Sequence, residues 1–365
     1  MVLPVQTLSA VSRGASPMFL NLPEENIQPA SFDLTLGDVA YGMRSAALPY
    51  NQSVEEFIAR WKRYDFSLKK NQTNVLERGV CYIIPLKEEM RLPPDFRAIF
   101  SPKSSTGRCD VFVRVLTDNF PHYDRTPYGY HGKLYLEVVP LSFNIKVSAG
   151  LALTQARIKR KEERTYAPHE ISTLHARCGL LYDKDGQPIS NDLLRVEGNS
   201  VFFSIDLDRE IVGFEARPTP TEELDLTLSG KHRPSDFWTP IGKPRNGEFA
   251  LTPGTFYLLA TKERSKIPME CCGEMMPYDV SSGEVRPHYA GFFDPGFGGD
   301  QGTTGVLEVR CRDVPFRLVH GQPICRMVFE PMDELPSVGY SGHYAKDSRP
   351  SLSKHFENRY DVWGS

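Results

Sequence analysis

Short apolar runs, alternating or continuous and bounded by Gly, Pro, Asn and Asp, recur at residues 32–36, 80–86, 96–100, 111–116, 134–139 and 151–158. Side chains of a strand point alternately to its two faces, so runs of this kind read as β-strands, and their spacing is that of sandwiches and jelly rolls. Few stretches keep a 3.6-residue apolar period. Helices are predicted only over residues 54–62, after a Ser53 cap, and over residues 6–11. With 29 prolines and 28 glycines punctuating these runs, the pattern predicts an all-β fold with few short helices.

The pattern also returns on itself. Phe32-Asp33-Leu34-Thr35-Leu36-Gly37 reappears as Leu224-Asp225-Leu226-Thr227-Leu228-Ser229-Gly230, and the segment from Gly79 to Glu88 reappears from Gly254 to Glu263. Leu92-Pro93 is matched by Ile267-Pro268 at the same offset. Leu134-Tyr135-Leu136-Glu137-Val138 corresponds to Gly305-Val306-Leu307-Glu308-Val309, each followed at equal distance by a glycine, Gly150 or Gly321. Three matches in one order predict a tandem duplication of a single β domain, with halves over residues 1–175 and 200–365 joined in the polar stretch 159–198. The 365 residues are long enough for two such domains.

Charge narrows the partners. A net charge of −3 excludes a nucleic-acid binder that works through a broadly basic surface, so a polyanionic ligand must be met by a local cluster, which points to a small phosphate compound. No stretch approaches the ~20 apolar residues that span a bilayer. The seven cysteines are odd in number and scattered without a Cys-x-x-Cys pair, as for reduced thiols in a cytoplasm, and Met1-Val2-Leu3-Pro4 opens no export signal. A soluble cytoplasmic protein is expected.

The local cluster is Ser101-Pro102-Lys103-Ser104-Ser105-Thr106-Gly107-Arg108, just after the apolar run 96–100. Hydroxyls and turn N–H groups donate to phosphate oxygens, while Lys103 and Arg108 supply charge, Arg by two bonds at once. A solvated Ser/Gly/Lys loop is the plain alternative. At the same offset the second half carries Tyr278-Asp279-Val280, which repels phosphate; it has instead a turn-rich hairpin, residues 288–299, ahead of Glu308. Glu137 and Glu308 each stand in an apolar strand. The plain reading of such a glutamate is an outward-facing position, and the pairing of the two across the halves weighs against it.

Residues 103–108 resemble the R-S-S-x-x-R phosphate motif of the dCTP deaminase and dUTPase superfamily, with Lys in place of the first Arg. Residues 288–299 followed by Leu307-Glu308 resemble its deaminase stretch H-x-x-A-H-R-I-D-P-G-[WF]-x-G…L-E, and residues 28–37 resemble its opening strand. The chain is thereby identified with the double-domain bacterial dCTP deaminases. The resemblance implies distorted β jelly rolls of the dUTPase-like kind in threefold homo-oligomers, with sites between neighbouring domains, and hydrolysis of dCTP to dUTP and ammonia. It also implies a glutamate that activates water for attack on cytosine C4, with Glu308 first and Glu137 next, and Arg108 beside the reaction. Lys103, Ser104, Ser105, Ala290 and Asp294 would bind nucleotide, joined by Tyr340, Tyr344 and Lys346 of a C-terminal arm. Mg²⁺ would be bound through the triphosphate. No zinc is expected, since the His/Cys-x-Glu…Pro-Cys-x-x-Cys spacing of zinc deaminases is missing. A dUTP pyrophosphatase or a bifunctional enzyme, with Asp294 directing water, is the alternative within the superfamily; a non-catalytic nucleotide-binding module is the alternative outside it.

Overall fold

The computed structural model describes residues 1–69, 74–162, 164–277, 286–287, 291–311, 313–344 and 351–357. The chain divides into two compact units, Met1–Glu163 with Thr221–Ser229, and Arg164–Pro220 with Gly230–Ser365.

The first unit opens with helix α1 (Val5–Arg13), strand β1 (Phe19–Leu20), β2 (Phe32–Thr35) and β3 (Val39–Met43). Helix α2 (Val54–Trp61) follows, and Ser53 caps it as its sequence predicts: its hydroxyl accepts from Glu56 N at 3.1 Å, while Glu56 accepts from Ser53 N at 2.7 Å. Its apolar stripe, Val54, Phe57 and Ile58, is buried against Met43, Ile83, Leu116 and Tyr135. Then come β4 (Lys62–Ser67), β5 (Val75–Leu76), β6 (Tyr82–Arg91), β7 (Phe96–Pro102), helix α3 (Ser104–Gly107), β8 (Val111–Leu116), β9 (His131–Pro140), β10 (Ile145–Lys146) and β11 (Ala152–Arg160). One sheet runs β4-β3-β6-β9-β8 with β1 added on β6, a second runs β2-β11-β7, and β10 pairs with β5.

In the second unit helix α4 (Pro168–Cys178) leads to β12 (Leu181–Tyr182), β13 (Val196–Glu197), β14 (Ser200–Ser204) and β15 (Ile211–Ala216). The short β16 (Leu224–Asp225) belongs to the first unit, where it lies parallel to β10. The second unit resumes with helix α5 (Pro234–Phe237), β17 (Trp238–Gly242), β18 (Glu248–Leu251), β19 (Phe256–Ser265), β20 (Cys271–Pro277), β21 (Arg286–Pro287), β22 (Phe292–Phe293), β23 (Thr303–Arg310), β24 (Phe316–Val319) and β25 (Pro323–Pro331). Its sheets run β17-β15-β19-β23-β21 with β12 on β19, β13-β14-β25-β20-β22, and β18-β24. The path β17-β15-β19-β23-β21 runs as β4-β3-β6-β9-β8 does, and β14-β25-β20 as β2-β11-β7, while β13 and β22 have no named counterpart in the first unit. Between the sheets Val201, Phe203, Tyr257, Leu259, Leu307, Val309, Met327 and Phe329 form the core.

The division falls at residues 163–164, inside the polar stretch 159–198, and part of that stretch is an amphipathic helix, α4, which buries Ile171 and Leu174 in the second unit's core. The counterpart of β2 is β14, not the segment 224–230. Gly150 N donates to Leu36 O at 2.8 Å and Gly321 N to Ile205 O at 3.0 Å, so Leu36 answers to Ile205. Alternating Leu, Asp and Thr at 224–228 imitates the strand's pattern without its place. No helix among the described residues is long and apolar enough to cross a membrane.

Candidate active site

The proposed phosphate grip sits where β7 leaves its sheet. Lys103 N donates to Leu153 O at 3.0 Å, which fixes the exit, and the chain then turns into α3: Thr106 N and Gly107 N donate to Lys103 O at 2.8 and 3.0 Å, and Arg108 N donates to Ser104 O at 3.1 Å. Four N–H groups of the loop are thus spent on the backbone. Ser105 and Arg108 are buried, Lys103 and Ser104 half-buried, and the Lys103 ammonium is ion-paired with the Asp33 carboxylate of β2. Asp33 was not anticipated as a partner, although Phe32-Asp33-Leu34 places the one carboxylate of an apolar strand beside the grip.

Glu137 lies in the middle of β9, paired with Ile83 of β6 on one side and Arg114 of β8 on the other. It is buried, at 2% exposure. Burial pushes its carboxyl up to about 7, against the pull of the Arg114 charge and the Tyr123 hydroxyl. The Tyr123 hydroxyl donates to Glu137 Oε2 at 3.5 Å, and the Arg114 guanidinium stands 4.8 Å from the centre of the Tyr123 ring. Asp124 holds this arrangement: it is ion-paired with Arg114 and accepts from Val115 N at 2.8 Å. The Cys81 thiol adjoins the carboxyl and is pushed up to about 12 by burial first and by the charge of Glu137 second. Arg114, Tyr123 and Cys81 all escape a sequence reading. Arg114 shows itself there only as the polar interruption of Val-Phe-Val-Arg-Val-Leu.

Glu308 holds the same register in the second unit, opposite Leu258 as Glu137 is opposite Ile83, and it too is buried. The hairpin that precedes it is described from Gly291 onward; Ala290 and the other residues of 288–290 lie outside the described residues, as does Lys346. Asp294 is buried and begins a tight turn in which Phe297 N donates to Asp294 O at 3.1 Å and Gly296 N to Ile267 O at 2.9 Å. The C-terminal segment docks on that turn: Tyr340 N donates to Pro295 O at 2.8 Å, and the Tyr340 ring packs 5.5 Å from that of Phe297. Tyr344 is buried in the core, its hydroxyl accepting from Lys354 N at 3.0 Å. Farther on, Phe356 packs among Phe237, Trp238 and His232.

In the first unit the structure pairs Lys103 of the 103–108 loop with Asp33, and gathers Glu137 with Arg114 and Tyr123. It joins Asp294 to Tyr340 through one turn. Among the described residues no three His, Cys, Asp or Glu side chains are grouped to hold a metal ion.

Two family models match the chain, the N-terminal domain of 2′-deoxycytidine 5′-triphosphate deaminase over residues 1–162 and its C-terminal domain over residues 168–356. The crystal structure of 2′-deoxycytidine 5′-triphosphate deaminase from Agrobacterium tumefaciens is 38% identical, superposes with a TM-score of 0.83, and is matched over 92% of this chain and 96% of that one. A dCTP deaminase of Natronomonas pharaonis is 25% identical over 169 residues, 44% of this chain and 81% of that protein. A dUMP-forming dCTP deaminase of Methanosphaera stadtmanae is 25% identical over 120 residues, 32% of this chain and 55% of its own length. Family models along nearly the whole sequence and the solved structure at 38% identity agree: the chain belongs to the 2′-deoxycytidine 5′-triphosphate deaminase family of hydrolytic deaminases.

Proposed function

We propose that the chain converts dCTP and water to dUTP and ammonia, with Glu308 as the general base. In this reading the carboxylate takes a proton from water as its oxygen bonds to cytosine C4. The proton passes to N3, and the hydroxyl proton is then carried by the carboxyl to the amino group, so that the C4–N bond breaks, ammonia leaves and C4 keeps its new oxygen as a carbonyl. The observation that carries the reading is the strand position itself. Glu308 is buried in β23 opposite Leu258, and a general base must be a fixed group within hydrogen-bond reach of the water it activates.

Lys103, Ser104, Ser105 and Arg108 hold the triphosphate by charge-assisted hydrogen bonds in this reading. Ala290, Asp294 and Tyr340, with Lys346, contribute to nucleotide binding from the second unit's hairpin and C-terminal segment. Mg²⁺ would be held by the triphosphate and would offset its charge; the side chains of Lys103, Ser104, Ser105 and Arg108 include no carboxylate, so the loop itself would meet the phosphates and not the metal. Equivalent strand orders and equivalent glutamates support a tandem duplication of one distorted jelly-roll domain.

The experiment is one incubation series. The chain with Mg²⁺ and dCTP, dUTP, dCMP or CTP, resolved for base and phosphate products, is expected to give dUTP and ammonia from dCTP, and Glu308→Gln is expected to stop ammonia release. Full turnover in Glu308→Gln removes Glu308 from the mechanism. The dUMP-forming relative favours a second reading, in which Asp294 directs water at the α-phosphorus and dUMP with pyrophosphate appears in the same series.

A further inference from the structure

The two units differ in sequence at the position that lies against the buried glutamate of the first. Phe100 N donates to Asp124 O at 2.9 Å in the first unit, and Met275 N donates to Gly291 O at 3.1 Å in the second; Leu92 N donates to Tyr130 O, and Ile267 N to Phe297 O, both at 2.9 Å. Asp124 therefore answers to Gly291 and Tyr130 to Phe297. One residue back, Tyr123 answers in sequence to Ala290. A methyl side chain in one unit is matched by a phenol in the other.

That phenol lies against Glu137. Its hydroxyl is on Oε2 at 3.5 Å, the Arg114 guanidinium covers its ring at 4.8 Å, and Asp124 fixes Arg114 in turn. A planar six-membered ring presenting one donor to a carboxylate is also a description of cytosine presenting its exocyclic amino group. We propose that Tyr123 is a resident occupant of the first unit's base pocket, standing in for a pyrimidine at Glu137 and closing that carboxyl to nucleotide. The proposal rests on the reading of this strand position as the one that meets the base. It assigns base recognition in the first unit to no ligand, and makes residue 123 the determinant that separates the two glutamates.

The ring, not the hydroxyl, is the plug. Removing the whole side chain should open the pocket, whereas Tyr123→Phe should leave it shut. The first measurement needs no nucleotide. The full chain is treated with a water-soluble carbodiimide and a small amine, and amide formation at Glu137 is followed by peptide mass spectrometry. Tyr123→Ala is expected to label at Glu137 about tenfold faster or more, as befits a group moved from protected to open, and Tyr123→Phe to label at the wild-type rate. Equal rates in wild type and Tyr123→Ala, with both chains folded by circular dichroism, overturn the proposal; so does rapid labelling of Glu137 in wild type.

The second measurement is equilibrium dialysis of deoxycytidine, which asks nothing of a phosphate grip, against the full-length Glu308→Gln chain. Introducing Tyr123→Ala into it is expected to add one bound nucleoside per chain, and Tyr123→Phe to add none. An unchanged count in the Tyr123→Ala chain overturns the proposal. Failure of the functional reading shows elsewhere, as no ammonia from dCTP with the wild-type chain, while the labelling result still decides the role of Tyr123.

Discussion

Glu88 accepts two hydrogen bonds from Thr35, one from its backbone N–H at 2.8 Å and one from its hydroxyl at 2.6 Å. The second unit repeats the device: Glu263 accepts from Ser204 N at 2.7 Å and from Ser204 Oγ at 2.5 Å. In both units the pair links strands of different sheets, β2 to β6 and β14 to β19, and so sets how the sheets are stapled at that corner. The environments differ. Glu88 is 1% exposed, and burial raises its carboxyl despite the two bonds that pull it down; Glu263 is only half-buried.

Thr35→Val keeps the shape and removes one donor from a buried carboxyl, so it should cost about 1–3 kcal/mol of stability. Ser204→Ala makes the same deletion where water can reach the carboxylate, and should cost clearly less. Urea midpoints of the two variants check the order, and a larger loss for Ser204→Ala refutes it.

Glu137 gives the chain a pH dependence of definite sign. Its carboxyl is raised from 4.5 to about 7 by burial, so between those values the folded chain holds a proton that the unfolded chain has released. Stability from this group therefore falls as pH rises through that window, by roughly 3 kcal/mol in all if the shift is as large as this. Glu137→Gln, an uncharged isostere, should flatten the slope of stability against pH between about 5 and 7 and leave the variant more stable than wild type at pH 8. Thermal unfolding across that range is the measurement. An unchanged slope would mean that Glu137 titrates as an ordinary carboxyl.

Much of the first unit was legible in the sequence because its strands are bounded by strong punctuation. The run 111–116 is β8 residue for residue, and the Ser53 signal marks a real cap. The pairing of Glu137 with Glu308 was legible too, since both sit in long apolar strands. What escaped depends on partners distant in sequence. Helix α4 carries Ile171 and Leu174 on one face, and Glu170 accepts from Ala167 N at 2.9 Å, but its many polar residues made the segment read as linker. Arg114 and Tyr123 meet Glu137 only through pairing across strands. At the fixed offset the second half shows Tyr278-Asp279-Val280, and a serine pair of its own, Ser281-Ser282, follows directly.

At the grip, the cost of losing a side chain should depend on whether the ligand has phosphates. Ser104 is half-buried, so Ser104→Ala leaves the fold intact and should weaken dCTP binding by roughly 1.5–3 kcal/mol, as for a lost bond to a charged group. Deoxycytidine binding should hardly change. Calorimetry with both ligands is the check, and equal losses show a loop that serves the fold alone.

The turn Asp294-Pro295-Gly296 offers the most local test of how the C-terminal segment is held. Gly296 has φ +86, a conformation that side chains with a Cβ rarely adopt, and a Cβ there would stand 3.0 Å from both Gly339 Cα and Tyr340 N. These are backbone atoms, so the neighbour cannot turn aside; it must move as a whole, and the hydrogen bond from Tyr340 N to Pro295 O goes with it. Gly296→Ala should thus cost about 1–3 kcal/mol through backbone strain, and the loss should concentrate in the segment rather than spread through the core. Limited proteolysis is expected to cut the variant near Tyr340 much faster than wild type, while β23 and its buried Glu308 stay protected. Gly339→Ala supplies the contrast, since its Cβ would meet the flexible Met269 Sδ at 3.2 Å before any backbone atom, and it should be tolerated. If both variants are cut at the wild-type rate, close backbone approach at this turn is not what anchors the segment.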